Sequence, residues 1–295
     1  MIRPSASQLA YAVLALGVVV SAPASAQSVP TIDTEDATLG SHDVGTGRIH
    51  PVLGLDVRNG DFARGDYDDD RADLDRLPVH AQIGLGAELH HDSEGKADTW
   101  LVVSSSNGFH SPAAYETTSP RAWYESNNLL AVVATPVRNL RAALVYTIKT
   151  SPNGVSDTTN EVSASFAYDA KHGIGALRPT FVATTRTKGS GGGYAQIAIG
   201  PRIALGRGEG AASLIIPATV GFGFGGFYGT SSGDRLFASA GLGLTKPFTI
   251  GNVHLNANGR LLALVRDDRL ARRSGPRGET GTVVPLATFG VSSAW

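Results

Sequence analysis

Hydrophobic positions along this chain recur at every second residue. In Val253–Val265, Val253, Leu255, Ala257, Leu261 and Val265 fall on one side; His254, Asn256, Asn258 and Arg260 fall on the other. The same alternation runs through Val79–Leu89, Leu140–Lys149 and Val162–Asp169. Successive side chains of a strand point to opposite faces, so each segment has one apolar face and one polar or tiny face. About twelve such segments are predicted, at 48–57, 78–90, 98–106, 122–134, 139–149, 159–169, 177–187, 193–205, 212–225, 235–245, 253–266 and 282–295. Most run to about ten to thirteen residues, against five or six for an ordinary soluble strand, which suffices to cross a bilayer when tilted. No stretch after Gln27 is long and apolar enough for a membrane helix.

The connections alternate too. Long ones, such as Asn59–Leu77, Asn107–Arg121, Ser151–Asp157 and Asp267–Gly281, are interleaved with short ones, such as Thr135–Asn139, Gly206–Gly210 and Lys246–Asn252. Long strands, an even count and alternating loop lengths predict an all-β fold: a transmembrane antiparallel up-and-down β-barrel of about twelve strands. A secreted sandwich or propeller is the soluble alternative, since it too buries one face of every strand.

The N-terminus changes the picture by adding a destination. Arg3 is followed by the apolar run Leu9–Val20 and then by Ala24–Ala26. This is the order of a secretory signal peptide with an A-x-A cleavage site. The expected organisation is a signal peptide at 1–26, a short periplasmic segment at 27–47 and the barrel at 48–295, in the bacterial outer membrane. Composition agrees: of 295 residues, 17% are charged and 36 are glycine, cysteine is absent and the net charge is −1. A near-neutral chain makes no case for a nucleic-acid partner, and a chain without cysteine has no disulfide framework or thiol nucleophile.

The chain closes on "PLATFGVSSAW", Pro285–Trp295. A C-terminal aromatic residue preceded by alternating apolar positions resembles the ending of Gram-negative outer-membrane barrels, which the barrel assembly machinery recognises. The resemblance makes Trp295, Val291 and Phe289 the assembly signal, with Ser293 standing where a hydrophobic residue is usual. Within the chain, "GDRLFASAGLGLTKPF" (Gly233–Phe248) resembles hairpins of uncharacterised proteobacterial porins, TorF-like ones included. The family implies outer-membrane lipid, the assembly machinery and small solutes as partners.

A membrane barrel is polar inside, so charged residues on the polar faces are lumen candidates. These are Arg141, Lys149, Arg178, Arg186, Arg202, Arg235 and Arg260, with Glu88 and Glu161, and with Asp56, Asp169, His80 and His254 nearby in kind. The basic excess predicts a porin-like channel for small polar or anionic solutes. The same residues suit a non-conducting structural or adhesive barrel if they pair with one another. A barrel lipid hydrolase is the remote alternative. "SSSNG" (Ser104–Gly108) and "HDSEG" (His91–Gly95) each half-match a His-x-Ser-Asn-Gly run, but neither supplies a full set of nucleophile and base. The expectation is therefore no enzyme, no metal and no cofactor. The acidic run Gly65–Arg76 has Arg71 and Leu77 where a calcium loop counted from Asp66 needs Gly and Glu. The basic loop bearing Arg266, Arg269, Arg272, Arg273 and Arg277 is expected beside it, because the first and last strands of a barrel are neighbours.

Overall fold

The structure is a computed structural model and describes residues 27–44, 47–67, 74–92, 98–114, 116–208, 210–229, 233–272 and 281–294. The expected signal peptide and Trp295 lie outside these residues.

Twelve barrel strands follow one another: β1 (Ile49–Arg58), β2 (Val79–His91), β3 (Asp98–Phe109), β4 (Trp123–Val137), β5 (Leu140–Thr150), β6 (Thr159–Tyr168), β7 (Thr180–Lys188), β8 (Gly193–Ile199), β9 (Ala218–Phe224), β10 (Arg235–Ile250), β11 (Val253–Arg266) and β12 (Val283–Ala294). Every strand pairs antiparallel with its sequence neighbours, and β12 pairs with β1, so the sheet closes. Two strands are interrupted at prolines, which lack the N–H a ladder needs. After Pro201 β8 resumes as Arg202–Ala204, and Ser213–Ile215 precedes β9 across Pro217; these two short pieces pair with each other.

Most predicted segments coincide with strands to within a few residues, and the prediction for β10 stopped five residues early. The tightest turns are of two residues. Arg138–Asn139 and Gly251–Asn252 place Asn139 and Gly251 at φ 68° and 59°, as reversing a twisted ladder in two residues requires. Two connections break the long-short rule: 189–192 is short on the long-loop end, and 169–179 carries a 3-10 turn, Gly173–Leu177, on the other end.

The outward face is apolar. Leu85, Leu130, Leu144, Ile197, Leu242 and Leu261 are exposed there. Outward aromatic pairs lie near both rims: Phe109–Trp123 and Phe222–Phe224 at one, Phe166–Phe181 at the other. An apolar belt between aromatic rims, around a polar interior, is the layout of a transmembrane barrel.

The interior is filled from two directions. Within the segment 27–47, expected as short and periplasmic, residues 27–44 form a hairpin of Gln27–Ile32 against Leu39–Val44 that lies inside the barrel. Its Val29, Ile32 and Leu39 are buried against the inward residues Trp100, Val102, Leu129, Val133, Val145 and Val182. Gly86 on β2 makes the approach close enough: a Cβ there would stand 2.7 Å from Val29 Cγ1. From the other direction, the connection after β1 folds inward. Its Phe62 packs on Tyr194, Phe227, Tyr228, Phe237, Leu264 and Leu270.

Candidate functional site: an ionic cluster where the hairpin meets the wall

The hairpin tip is built locally by its own aspartates. Asp33 Oδ1 accepts from the N–H of Glu35 at 2.8 Å, Asp36 Oδ1 accepts from Thr38 N–H at 2.8 Å, and Ala37 takes the left-handed conformation at φ 64°. This turn presents Glu35 to the barrel wall. Arg58, the last residue of β1, pairs with Glu35, with Asp56 at 2.7 Å and with Asp61 at 3.0 Å.

The wall supplies a row of residues at one level. Asp56 on β1 stands opposite His80 on β2, His80 opposite Gly108 on β3, and Gly108 opposite Glu125 on β4. A bulge between Gly108 and Phe109 adds Tyr124, so consecutive residues, Tyr124 and Glu125, both turn inward against the alternation. Gly108 leaves room for the ring, because a Cβ there would lie 2.5 Å from Tyr124 Cζ.

Tyr124 Oη donates to Asp61 Oδ2 at 2.8 Å and lies 2.7 Å from His80 Nε2. His80 Nε2 also faces Asp61 Oδ2 and Glu125 Oε2, each at 3.4 Å, and Nδ1 faces Asp56 Oδ1 at 3.5 Å. Burial raises the Glu35 carboxyl above its ordinary value; Arg58 opposes this, and the Asp61 and Glu125 carboxylates add to it. Burial would raise Asp61 too, but His80 and Arg58 beside it prevail and hold it below the usual carboxylate range.

A second cluster holds the inserted connection. Glu161 on β6 is fully buried between Arg64 Nη1 at 2.7 Å and Arg186 Nε at 3.1 Å. Both guanidinium groups lie over the Phe227 ring, at 5.3 and 4.2 Å. Tyr228 Oη donates to Arg64 O at 2.8 Å, and Arg266 Nη1 donates to Gly65 O at 3.2 Å. The basic residue that reaches the first long connection is Arg266, which is the last residue of β11 and bonds main-chain oxygen. Arg273 and Arg277 lie outside the described residues, as do residues 68–73 of the acidic run.

The expected lumen residues divide accordingly. Arg141 bonds Ser28 Oγ at 3.1 Å, and Lys149 bonds Glu35 O at 2.6 Å, so both clamp the hairpin. Arg186 and Glu161 belong to the second cluster. Arg235 is buried, bonded to Asp234 O and 3.9 Å from Asp267. Glu88 pairs with His91 at 3.1 Å. Arg260 faces inward but is exposed, and Arg202 is exposed on the short piece after Pro201. Arg178 is not on a strand: it follows the 3-10 turn in the left-handed conformation and pairs with Asp169 in the connection. Phe289 points outward and Val291 is half-buried. Ser293 is buried and donates to His254 O at 2.6 Å, which gives the polar residue of that ending a structural use. Among the described residues no histidine hydrogen-bonds Ser104, Ser105 or Ser106; Ser104 pairs with Gln82 and Ile83 O instead. Glu35, Arg58, Asp61, Tyr124 and Glu125 were not anticipated from sequence.

No protein-family model matches the sequence, and no curated protein matches it. Among solved structures the chain is similar to LpxR from Salmonella typhimurium, 13% identical, covering 82% of this chain and 99% of that one, with a TM-score of 0.36. It is also similar to the beta domain of the Bordetella autotransporter BrkA, 10% identical, covering 84% and 100%, with a TM-score of 0.39. A third similarity is to a low-pH structure of Pseudomonas putida OprB, 11% identical, covering 84% and 92%, with a TM-score of 0.31. Similarity this distant carries no function across.

Proposed function

We propose that this protein is an outer-membrane β-barrel closed by its own N-terminal hairpin, a non-conducting structural barrel and not an open porin. The apolar belt and aromatic rims support the membrane location, together with the signal-peptide pattern of the first residues. One observation carries the rest: the hairpin Gln27–Val44 occupies the lumen and is tied by polar contacts to four strands of the wall. Its ties are Arg58 on β1, Arg141 and Lys149 on β5, Ser165 on β6 and Gln196 on β8, beside the apolar contacts with Trp100 on β3. Of the seven basic residues that favoured an anion channel, Arg141 and Lys149 are such ties and Arg186 is a partner of Glu161. A cation already paired with protein oxygen offers little field to a passing solute.

Single-channel recording in planar bilayers tests this. The barrel with its hairpin is expected to give no steps, and a variant lacking residues 27–46 is expected to give stable ones. Equal conductance in both would overturn the proposal and restore the channel reading.

A further inference from the structure

The Asp56–His80–Glu125 row, the hairpin tip and the start of the inserted connection converge at one point. There, one carboxylate oxygen each from Glu35, Asp61 and Glu125 and one ring nitrogen of His80 all lie within 4.8 Å of one another. Hydrogen bonds leave two atoms of these four residues unaccounted for, His80 Nδ1 and Glu125 Oε2. Glu125 is 4% exposed, and its Oε2 accepts no hydrogen bond. It faces His80 Nε2 at 3.4 Å, but that nitrogen is closer to Tyr124 Oη, at 2.7 Å, and a single N–H serves one acceptor well. Charge is short as well. Glu35, Asp56 and Asp61 share the guanidinium of Arg58, and Asp56, Asp61 and Glu125 share the ring of His80, while Lys149 reaches the Glu35 main-chain oxygen. A buried carboxylate oxygen that accepts no hydrogen bond, and that shares the one ring nitrogen near it with Tyr124 and Asp61, is costly unless something else neutralises it.

We infer that Glu35, Asp61, His80 and Glu125 form a binding site for one divalent transition-metal ion of the zinc type, which fastens the hairpin to the barrel wall. The inference rests on the lumenal position of the hairpin, because Glu35 is at its tip. Three carboxylates and one imidazole suit a four-coordinate ion. Imidazole selects transition metals, whereas calcium takes six to eight oxygens. Ligands held at about 2.1 Å stand no more than about 4.2 Å apart, so binding draws in any wider pair. The surroundings also suit such a site. His80 would bind through Nε2 with its Nδ1 proton directed to Asp56, now 3.5 Å away, and Asn127 donates to the other Glu125 oxygen. Such outer contacts orient metal ligands.

The test uses the folded, full mature barrel in detergent, stripped with chelator and dialysed against zinc alone, manganese alone or calcium alone, with bound metal counted by mass spectrometry. One zinc per barrel is expected, with binding at least tenfold weaker in both His80→Gln and Glu125→Gln. X-ray absorption at the zinc edge is expected to show mixed nitrogen and oxygen ligands and no sulfur. Absence of stoichiometric zinc, binding by either variant as tight as the parent's, or calcium bound in preference to zinc would each overturn the inference. Conductance is recorded on the same preparations. A silent barrel that binds no zinc refutes the metal site alone, and a conducting one with the hairpin intact refutes the closed barrel.

Discussion

Arg58, at the end of the first barrel strand, holds Glu35, at the tip of the lumenal hairpin. The same guanidinium holds Asp56 and Asp61, so one side chain joins wall, hairpin and inserted connection. Removing one member of a buried ionic group costs about 3–5 kcal/mol, because its partners stay buried and unpaired. Arg58→Met should therefore release the hairpin. The chain has no cysteine, so Thr34→Cys, at a buried position, makes a single reporter. Labelling of that thiol by a water-soluble maleimide should rise by about a hundredfold or more in the Arg58→Met background, by the same energy. Unchanged labelling would mean that packing alone retains the hairpin.

Val29 carries the apolar half of that retention. It is fully buried against Trp100 and its neighbours. Val29→Asp places an unpaired carboxylate there, a burial that folded proteins avoid. The barrel should still form, because no ladder hydrogen bond of β1 to β12 involves this residue. Heat-modifiable gel migration should be retained while conductance steps appear. A silent, folded Val29→Asp barrel would show that the hairpin stays in place without its apolar anchor.

Glu161 neutralises Arg64, which is buried, and Arg186, which is half-buried, and Glu161→Gln takes the carboxylate from both. The expected cost is again about 3–5 kcal/mol, and it falls on the connection after β1 and not on the hairpin. Arg64 is 8% exposed and shielded from protease in the native barrel. Trypsin should cut after Arg64 in Glu161→Gln and leave that bond intact in the parent. Equal resistance would assign the insertion to the Phe62 cluster instead.

Gly108 is predicted to be intolerant for a reason separable from its neighbour's chemistry. Gly108→Ala drives a methyl into the Tyr124 ring, and overpacking of this kind costs about 1–3 kcal/mol. Tyr124→Phe removes only the hydroxyl and leaves Asp61 one donor short, a loss of about 1–3 kcal/mol. If the clash with the ring is the cause, the thermal unfolding temperature of Gly108→Ala in detergent should recover when Tyr124→Leu is added. Failure to recover would place the requirement in the backbone.

The barrel wall was legible in the alternation because every strand has an apolar outer face on one side and meets protein or water on the other. That demand is repeated locally along each strand, as in Leu144, Tyr146 and Ile148 against Val145, Thr147 and Lys149. The hairpin was not legible. Its strands have six residues each, and Val29 and Ile32 break the alternation, since the lumen contacts the hairpin on more than one side. The ionic cluster was hidden for another reason. Asp56, His80 and Glu125 come together only through inter-strand register, which a single sequence does not display. Tyr124 was lost to the bulge, which sets aside the strict alternation used to sort inward from outward residues. Arg178 was misplaced because the apolar run at 177–187 extends the strand pattern back across Pro179, whose missing N–H ends the ladder.

The hairpin tip reaches β1, β5, β6 and β8 together, strands that stand far apart on a flat sheet and meet only when the sheet is curled. Docking the tip is thus worth most to a wall that is already curved, and each tie made favours the next. The seam between β1 and β12 is then sealed by Asn59, whose side chain accepts from Ala287 N–H at 2.8 Å and donates to Pro285 O at 3.1 Å. The hairpin is thus a cross-brace: it joins staves that are otherwise linked only through their neighbours around the ring.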